Sequence, residues 1–219
     1  MPGQGLGLAK RRDDHTGFVV AKKKLVDVAV IIPDASPILT LARIGRLDLL
    51  ELFDVPIHIV DQVLFEITKP AHDPDGAIGG TLKRLGNRIS IIETVVGSGF
   101  KAKRATDPSF SGIDLGEAAV NEYALMLRKT RSATFVPLVL FEDPDVLELR
   151  IADVAGIYLL NTSAWLFGLY QEGRLPEGLD LIDQLNAYRK TPMERIDRDA
   201  RTRKLRATWR RKVRHADPS

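Results

Sequence analysis

The run Val26-Asp27-Val28-Ala29-Val30-Ile31-Ile32 limits what this chain can fold into more than any other feature. It is short, rich in β-branched residues and almost continuously apolar, without the alternation of a strand that keeps one wet face. Such a run suits a central strand covered on both sides, and strands of that kind belong to parallel sheets flanked by helices. Pro33 brings no N–H to a sheet ladder, so the strand is expected to stop there, with Asp34 at its carboxyl end. Ser36 and Pro37 then supply a helix start, as N-cap and first helical residue. An apolar stripe follows (Ile38, Leu41, Ala42, Ile44, Leu47, Leu50, Leu52), and Gly45 interrupts that helix or ends its first segment.

The same alternation recurs downstream. Ile57-His58-Ile59-Val60 reads as a strand, and Asp61 is placed to cap a helix carrying Val63, Leu64 and Ile67. The stretch 70–112 is punctuated by Gly and Pro and reads as the least regular part, with one helix near 77–85 and one strand, Ile89-Ser90-Ile91-Ile92. Asp114-Leu115-Gly116-Glu117 has the form of a capping box opening a helix to about Arg128. Phe135 to Phe141 forms a further strand and ends in Glu142-Asp143-Pro144-Asp145; a helix to about Ala155 follows, closed by Gly156. Ile157 to Leu160 is a short strand, Thr162 and Ser163 start the next helix, and 177–188 is one more amphipathic helix. Strands alternating with helices at these spacings predict an α/β domain over 25–188, in three α/β/α layers with a mainly parallel central sheet.

Charge divides the chain more sharply than its net value of +3 suggests. Residues 1–24 carry six Lys/Arg against two Asp, and residues 189–214 carry twelve against three, while 25–188 has fourteen basic and twenty-three acidic residues. An acidic body therefore lies between two basic ends: a flexible N-terminal arm (1–24) and a C-terminal tail (189–219) that is open to helix formation but has few apolar positions to bury. Basic ends suit contact with nucleic acid, and equally suit solvated tails or neutralisation of a partner's acidic surface. In the tail, Arg206, Arg210 and Arg211 can meet phosphates and Trp209 can stack on an exposed base.

With no cysteine, disulfides and Cys-ligated metal centres are excluded. No apolar run reaches the roughly 18 residues of a membrane span, and the N-terminus lacks the apolar core of a signal peptide. The expectation is an intracellular, cytoplasmic protein with no membrane partner. His15, His58, His72 and His215 are scattered without ligand spacing, and neither GxxxxGK[ST] nor GxGxxG occurs. Trp165, Phe167 and Tyr170 fall at helical spacing and read as core or dimer-interface residues.

The chemistry suggested by the sequence lies in its carboxylates. Asp34 falls at the end of the first strand, Asp143 and Asp145 just beyond the strand 135–141, Glu117 in a first helical turn, and Glu66 on the helix after the second strand. In an open parallel sheet, sites form beyond the carboxyl ends of the strands, where strand order reverses. Carboxylates gathered there repel one another unless cations sit between them, and oxygen donors select Mg²⁺ or Mn²⁺. Each acid also has a plain structural use. Asp34, Asp143 and Asp145 can cap helices, Glu66 can face solvent, and Glu117 can be the capping-box partner of Asp114.

A family resemblance rests on four segments in order. "PDASPILTLARIGRLDLLELF" resembles the opening motif of PIN domains, above all their VapC-like branch. "VDQVLFEI" with Glu66, "DLGEAAV" with Glu117, and "LVLFEDPDVLELRIADVAGIYLLNTSAWL" with Asp143, Asp145 and Thr162 continue it. The match spans roughly 28–187, with 70–112 matching poorly. It implies a PIN-like fold and a metal-dependent endoribonuclease with Asp34, Glu66, Glu117 and Asp143 as its acidic quartet. Asp34, Glu117, Asp143 and Asp145 are the implied ligands of Mg²⁺ or Mn²⁺, with Asp145 the alternative to Asp143, and Ser36 and Thr162 are polar supports. It further implies RNA as substrate, a homodimer, and the toxin role of a toxin–antitoxin pair with an antitoxin protein as partner. "FEDPD" departs from the family pattern by inserting Pro144 and offering three acids. That departure, with the basic ends, favours the alternative of a non-catalytic PIN-like scaffold or nucleic-acid-binding module.

Overall fold

The computed structural model describes residues 28–142 and 150–188. At its centre lies a five-stranded, all-parallel sheet: β1 (Val28–Pro33), β2 (Ile57–Val60), β3 (Ile89–Ile92), β4 (Val136–Phe141) and β5 (Tyr158–Asn161), in the order β3-β2-β1-β4-β5. Helices flank it, so the three-layer α/β/α architecture expected from the strand patterns is present. β1 and β4 are the two middle partners, and their side chains are buried almost throughout. That is why their sequences read as continuous apolar runs. Pro137 sits inside β4, where a missing N–H would ordinarily break the ladder. β1 absorbs it with an irregularity: Val28 pairs with Val136 but Val30 with Pro137, so one extra residue of β1 is accommodated there.

β1 continues through Pro33, which pairs with Leu140, and the chain turns directly into α1 (Ala35–Arg43). The helix thus begins earlier than Ser36 and Pro37 suggest. Asp34 is its N-cap residue, and its backbone N–H donates to Leu140 O at 2.9 Å, which ties the cap to β4. Gly45, in the left-handed region at φ +66°, ends this first segment as expected, and Leu47–Leu52 continue as a 3₁₀ turn that buries Leu47, Leu49 and Leu50. Phe53 follows, stacked on Trp165 with ring centroids 4.3 Å apart and planes 8° from parallel. Trp165 is fully buried on α6 (Thr162–Gln171), so it is a core residue. Tyr170, on the same helix, is exposed. The C-terminal helix α7 (Gly178–Tyr188) packs on α6 through Leu181 and Leu185.

The stretch 70–112 is more regular than its Gly and Pro content suggests. Helix α3 (Ala77–Leu85) and β3 stand where the pattern placed them, but a twelve-residue helix, α4 (Val95–Thr106), occupies ground that reads as loop. Thr94 caps it by accepting from Gly97 N at 2.9 Å. Glu122, reaching over from α5 (Leu115–Thr130), accepts from Val95 N and Val96 N at 2.8 and 3.0 Å. Three of the orphan N–H groups at the helix start are thereby satisfied by side chains distant or unremarkable in sequence. α2 (Asp61–Ile67), α4 and α5 pack together as one group beside β2. Of the helix expected between Asp145 and Ala155, the described part is a 3₁₀ turn at Arg150–Asp153.

Candidate functional site

Strand order reverses beside β1, since β2 and β3 lie on one side of it and β4 and β5 on the other. A parallel sheet built this way leaves a crevice at the carboxyl ends of the two strands where the chain changes direction. Asp34, 5% exposed, stands at that point. Beside it opens a hollow of about 390 Å³.

Three of the sequence-predicted acids reach this hollow from three elements. Asp34 comes from the end of β1, Glu66 from α2 and Glu117 from the first turn of α5. Ser36 lines it as well. How close the acids come is shown by Gly116. A Cβ built there would stand 3.3 Å from Glu66 Oε2, a tight approach, and 3.8 Å from Asp34 Oδ1, an ordinary contact, so both carboxylates lie next to the first turn of α5. Asp114 joins the lining from the α5 N-cap, where it adopts φ +53° and makes no side-chain cap bond. The capping box read from Asp114 and Glu117 is therefore not formed. Glu117 lies on the wall of the hollow instead.

Asp143 and Asp145 lie outside the described residues, as do the basic arm 1–24, the tail 189–219 and, within that tail, Arg206, Trp209, Arg210 and Arg211. Thr162 is fully buried at the start of α6, its Oγ1 without a hydrogen-bond partner, and it is not part of the lining of the hollow. Asn161 caps that helix by accepting from Ala164 N at 2.7 Å. Glu142, the first of the three acids in "FEDPD", follows β4 directly and is 9% exposed. It is not part of the lining of the hollow.

The remaining wall carries residues with no motif of their own in the sequence. Phe65, Phe100 and Phe110 line the hollow together with Lys69 and Arg104. Four carboxylates (Asp34, Glu66, Asp114, Glu117) and two cations thus face one space. The available signal was Phe65 and Glu66 side by side on one short helix, with Lys69 in the turn just after it. Arg104 and Phe100 lay in the segment read as loop.

The four carboxylates among the lining are donors that suit a hard divalent cation, beside the hydroxyl and amide groups of Ser36, Gln62 and Ser111. Among the described residues, no three acidic or histidine side chains are drawn together tightly enough to form a ready cation site. Also among the described residues, no helix is long and apolar enough to cross a membrane.

Fold and site define the chain as an all-parallel α/β domain with an acidic hollow at its strand-reversal point. No protein-family model matches it, and no curated protein matches it either.

Proposed function

We propose that the chain is a divalent-metal-dependent endoribonuclease of PIN type, acting in the cytoplasm. One observation carries the reading. Asp34, Glu66 and Glu117 are separated by up to 83 positions in sequence, yet all reach one hollow at the carboxyl edge of a parallel sheet. Asp34 at a strand end, Glu66 on the second helix and Glu117 in "GEAA" are also the residues that the PIN resemblance marks as catalytic. Asp34, Glu66 and Glu117 would hold Mg²⁺ or Mn²⁺, with a further acid from Glu142, Asp143 or Asp145. When bound, such an ion supplies an activated water and charge stabilisation for phosphodiester hydrolysis. The carboxylates set its position, and Ser36 stands beside the first of them. A homodimer and a partner antitoxin belong to the same reading.

The test is cleavage of a mixed RNA pool with added Mg²⁺ or Mn²⁺. Asp34→Asn is expected to abolish cleavage, a loss on the order of 10²-fold or more, with the unfolding midpoint retained. Equal cutting by wild type and variant would sink the proposal.

A second reading, a non-catalytic scaffold or nucleic-acid-binding module, is favoured by the looseness of the acids among the described residues. Calorimetric titration with Mn²⁺ separates the two. Binding that disappears in Glu117→Gln supports the enzyme; absence of carboxylate-dependent binding supports the scaffold.

A further inference from the structure

An acidic hollow by itself repels a polyanion, so a nuclease site needs a neighbouring surface that holds the strand. One wall of this hollow has that chemistry. Phe65, at 37% exposure, stands one residue before Glu66 on α2. Its ring centroid lies 5.0 Å from that of Phe100, which lies 5.8 Å from that of Phe110. Phe100 is 6% exposed and braces the other two from below. The Arg104 guanidinium lies 5.5 Å from the Phe65 centroid and 5.7 Å from that of Phe100. Its Nη2 donates to Pro108 O at 2.9 Å, which steadies the planar group. Lys69 Nζ is 5.1 Å from the Phe65 ring and Lys103 Nζ 5.1 Å from the Phe110 ring.

We propose that Phe65, Phe110 and Arg104 form a base-stacking subsite beside the acidic hollow, which takes an unpaired nucleobase and pairs the adjoining phosphate with Arg104 and Lys69. The inference rests on the nuclease reading for the chemistry of its substrate. A ring face and a guanidinium plane are the surfaces on which splayed-out bases stack, and every base offers a π-face to them. A base held in a duplex has no free face to offer, so the subsite selects an unpaired segment. The site faces the same hollow as Asp34, Glu66 and Glu117, so a base seated there brings its own sugar–phosphate linkage toward the carboxylates. Phe65, Phe110 and Arg104 act by positioning; they do not take part in bond breaking.

The test uses the full chain without added metal, so that no cleavage competes, at a salt concentration high enough to screen non-specific charge contacts. Fluorescence anisotropy compares a labelled single-stranded oligoribonucleotide, the same strand with abasic positions, and its duplex. Phe65→Ala is expected to weaken single-strand binding roughly tenfold, to leave the abasic strand unaffected, and to be rescued by Phe65→Trp. Arg104→Ala should weaken binding of the abasic strand too, through the lost phosphate contact, and of the base-bearing strand more, through the lost stacking surface as well. Unchanged single-strand affinity in a folded Phe65→Ala protein overturns the proposal, as does equal wild-type affinity for duplex and single strand. Loss of self-association in Phe65→Ala, with RNA binding untouched, would assign this face to a protein partner and also overturns it. Parallel cleavage assays keep the two readings apart. Asp34-dependent cleavage with Phe65-insensitive binding removes the subsite alone, whereas Phe65-dependent binding with Asp34-independent cleavage removes the nuclease and leaves the subsite standing.

Discussion

A single glycine decides how α2 and α4 fit together. Asp61, 8% exposed at the start of α2, accepts from Gln62 N at 3.0 Å and from Thr94 Oγ1 at 2.8 Å, with Lys101 Nζ 4.0 Å from its other oxygen. Its carboxylate occupies the place where a side chain at Gly97 would begin, so a Cβ there collides with Asp61 outright. Two effects compete in Gly97→Ala. Helix propensity favours alanine by about 1 kcal/mol, whereas displacing a buried, hydrogen-bonded carboxylate or shifting α4 costs about 1–3 kcal/mol, as overpacking does. The collision should win. We expect Gly97→Ala to lower the unfolding free energy measured by urea titration, by up to about 2 kcal/mol once the propensity gain is subtracted, and a variant more stable than wild type would show that α4 yields freely. The same residue explains why α4 is hard to read in sequence. Gly97 and Gly99 look like breakers, and the helix is held by Glu122, which is far off in sequence, and by a threonine with no local signature.

At the scale of elements, β2 and α5 are joined by His58 and Tyr123, whose Nδ1 and hydroxyl lie 2.6 Å apart, with the donor set by the imidazole tautomer. Burial pushes the His58 imidazole below its ordinary value, and the Arg131 guanidinium acts in the same direction. Burial also raises the Tyr123 phenol, partly countered by Arg131. The unfolded chain therefore takes up a proton at His58 near pH 6.5, where the folded protein still resists it. Folding is favoured by this group above that pH, and the contribution is lost as pH falls through the lowered folded value. Thermal unfolding of wild type and His58→Gln across pH 5 to 8 should show a gap that is constant above about pH 7 and shifts against wild type below about pH 6.5. A gap independent of pH would mean that His58 charges as easily folded as unfolded. The strands themselves, by contrast, were legible from sequence nearly to the residue, because burial on both faces leaves an unbroken apolar run in β1 and β4. Helix starts were less so. Asp34 and Asp114 became N-cap residues without side-chain capping bonds: Asp34 is held by a one-residue strand–helix connection, and Asp114 takes a left-handed backbone at the end of the loop from α4. For the site, the acids were legible because they fall at element ends. The aromatic and cationic wall was not, because it is assembled from α2, α4 and the turn before α5, which meet only through packing.

Over the whole molecule, charge is arranged against intuition for the proposed ribonuclease. The stretch 25–188 carries twenty-three acidic against fourteen basic residues, and four of those acids face one hollow. Long-range steering of a polyanion cannot come from such a body, because a net negative field of this kind slows the approach of RNA. Lys69 and Arg104 offset it only within the hollow itself. The opposing charge is concentrated beyond α7, where residues 189–214 hold twelve Lys/Arg against three Asp/Glu. If those residues capture RNA and the hollow then cuts it, the two functions separate cleanly on truncation. Ending the chain after Tyr188 keeps every element of the described residues, so the fold should survive. RNA affinity should fall, and the slope of log affinity against log salt should shrink by about 0.7 for each phosphate no longer neutralised. Cleavage at saturating RNA should change far less than cleavage at limiting RNA, because the carboxylates remain in place while encounter is lost. An unaltered salt slope in the truncated protein would place the RNA-attracting charge within the domain, and would leave the twelve basic residues of the tail with a solubilising role.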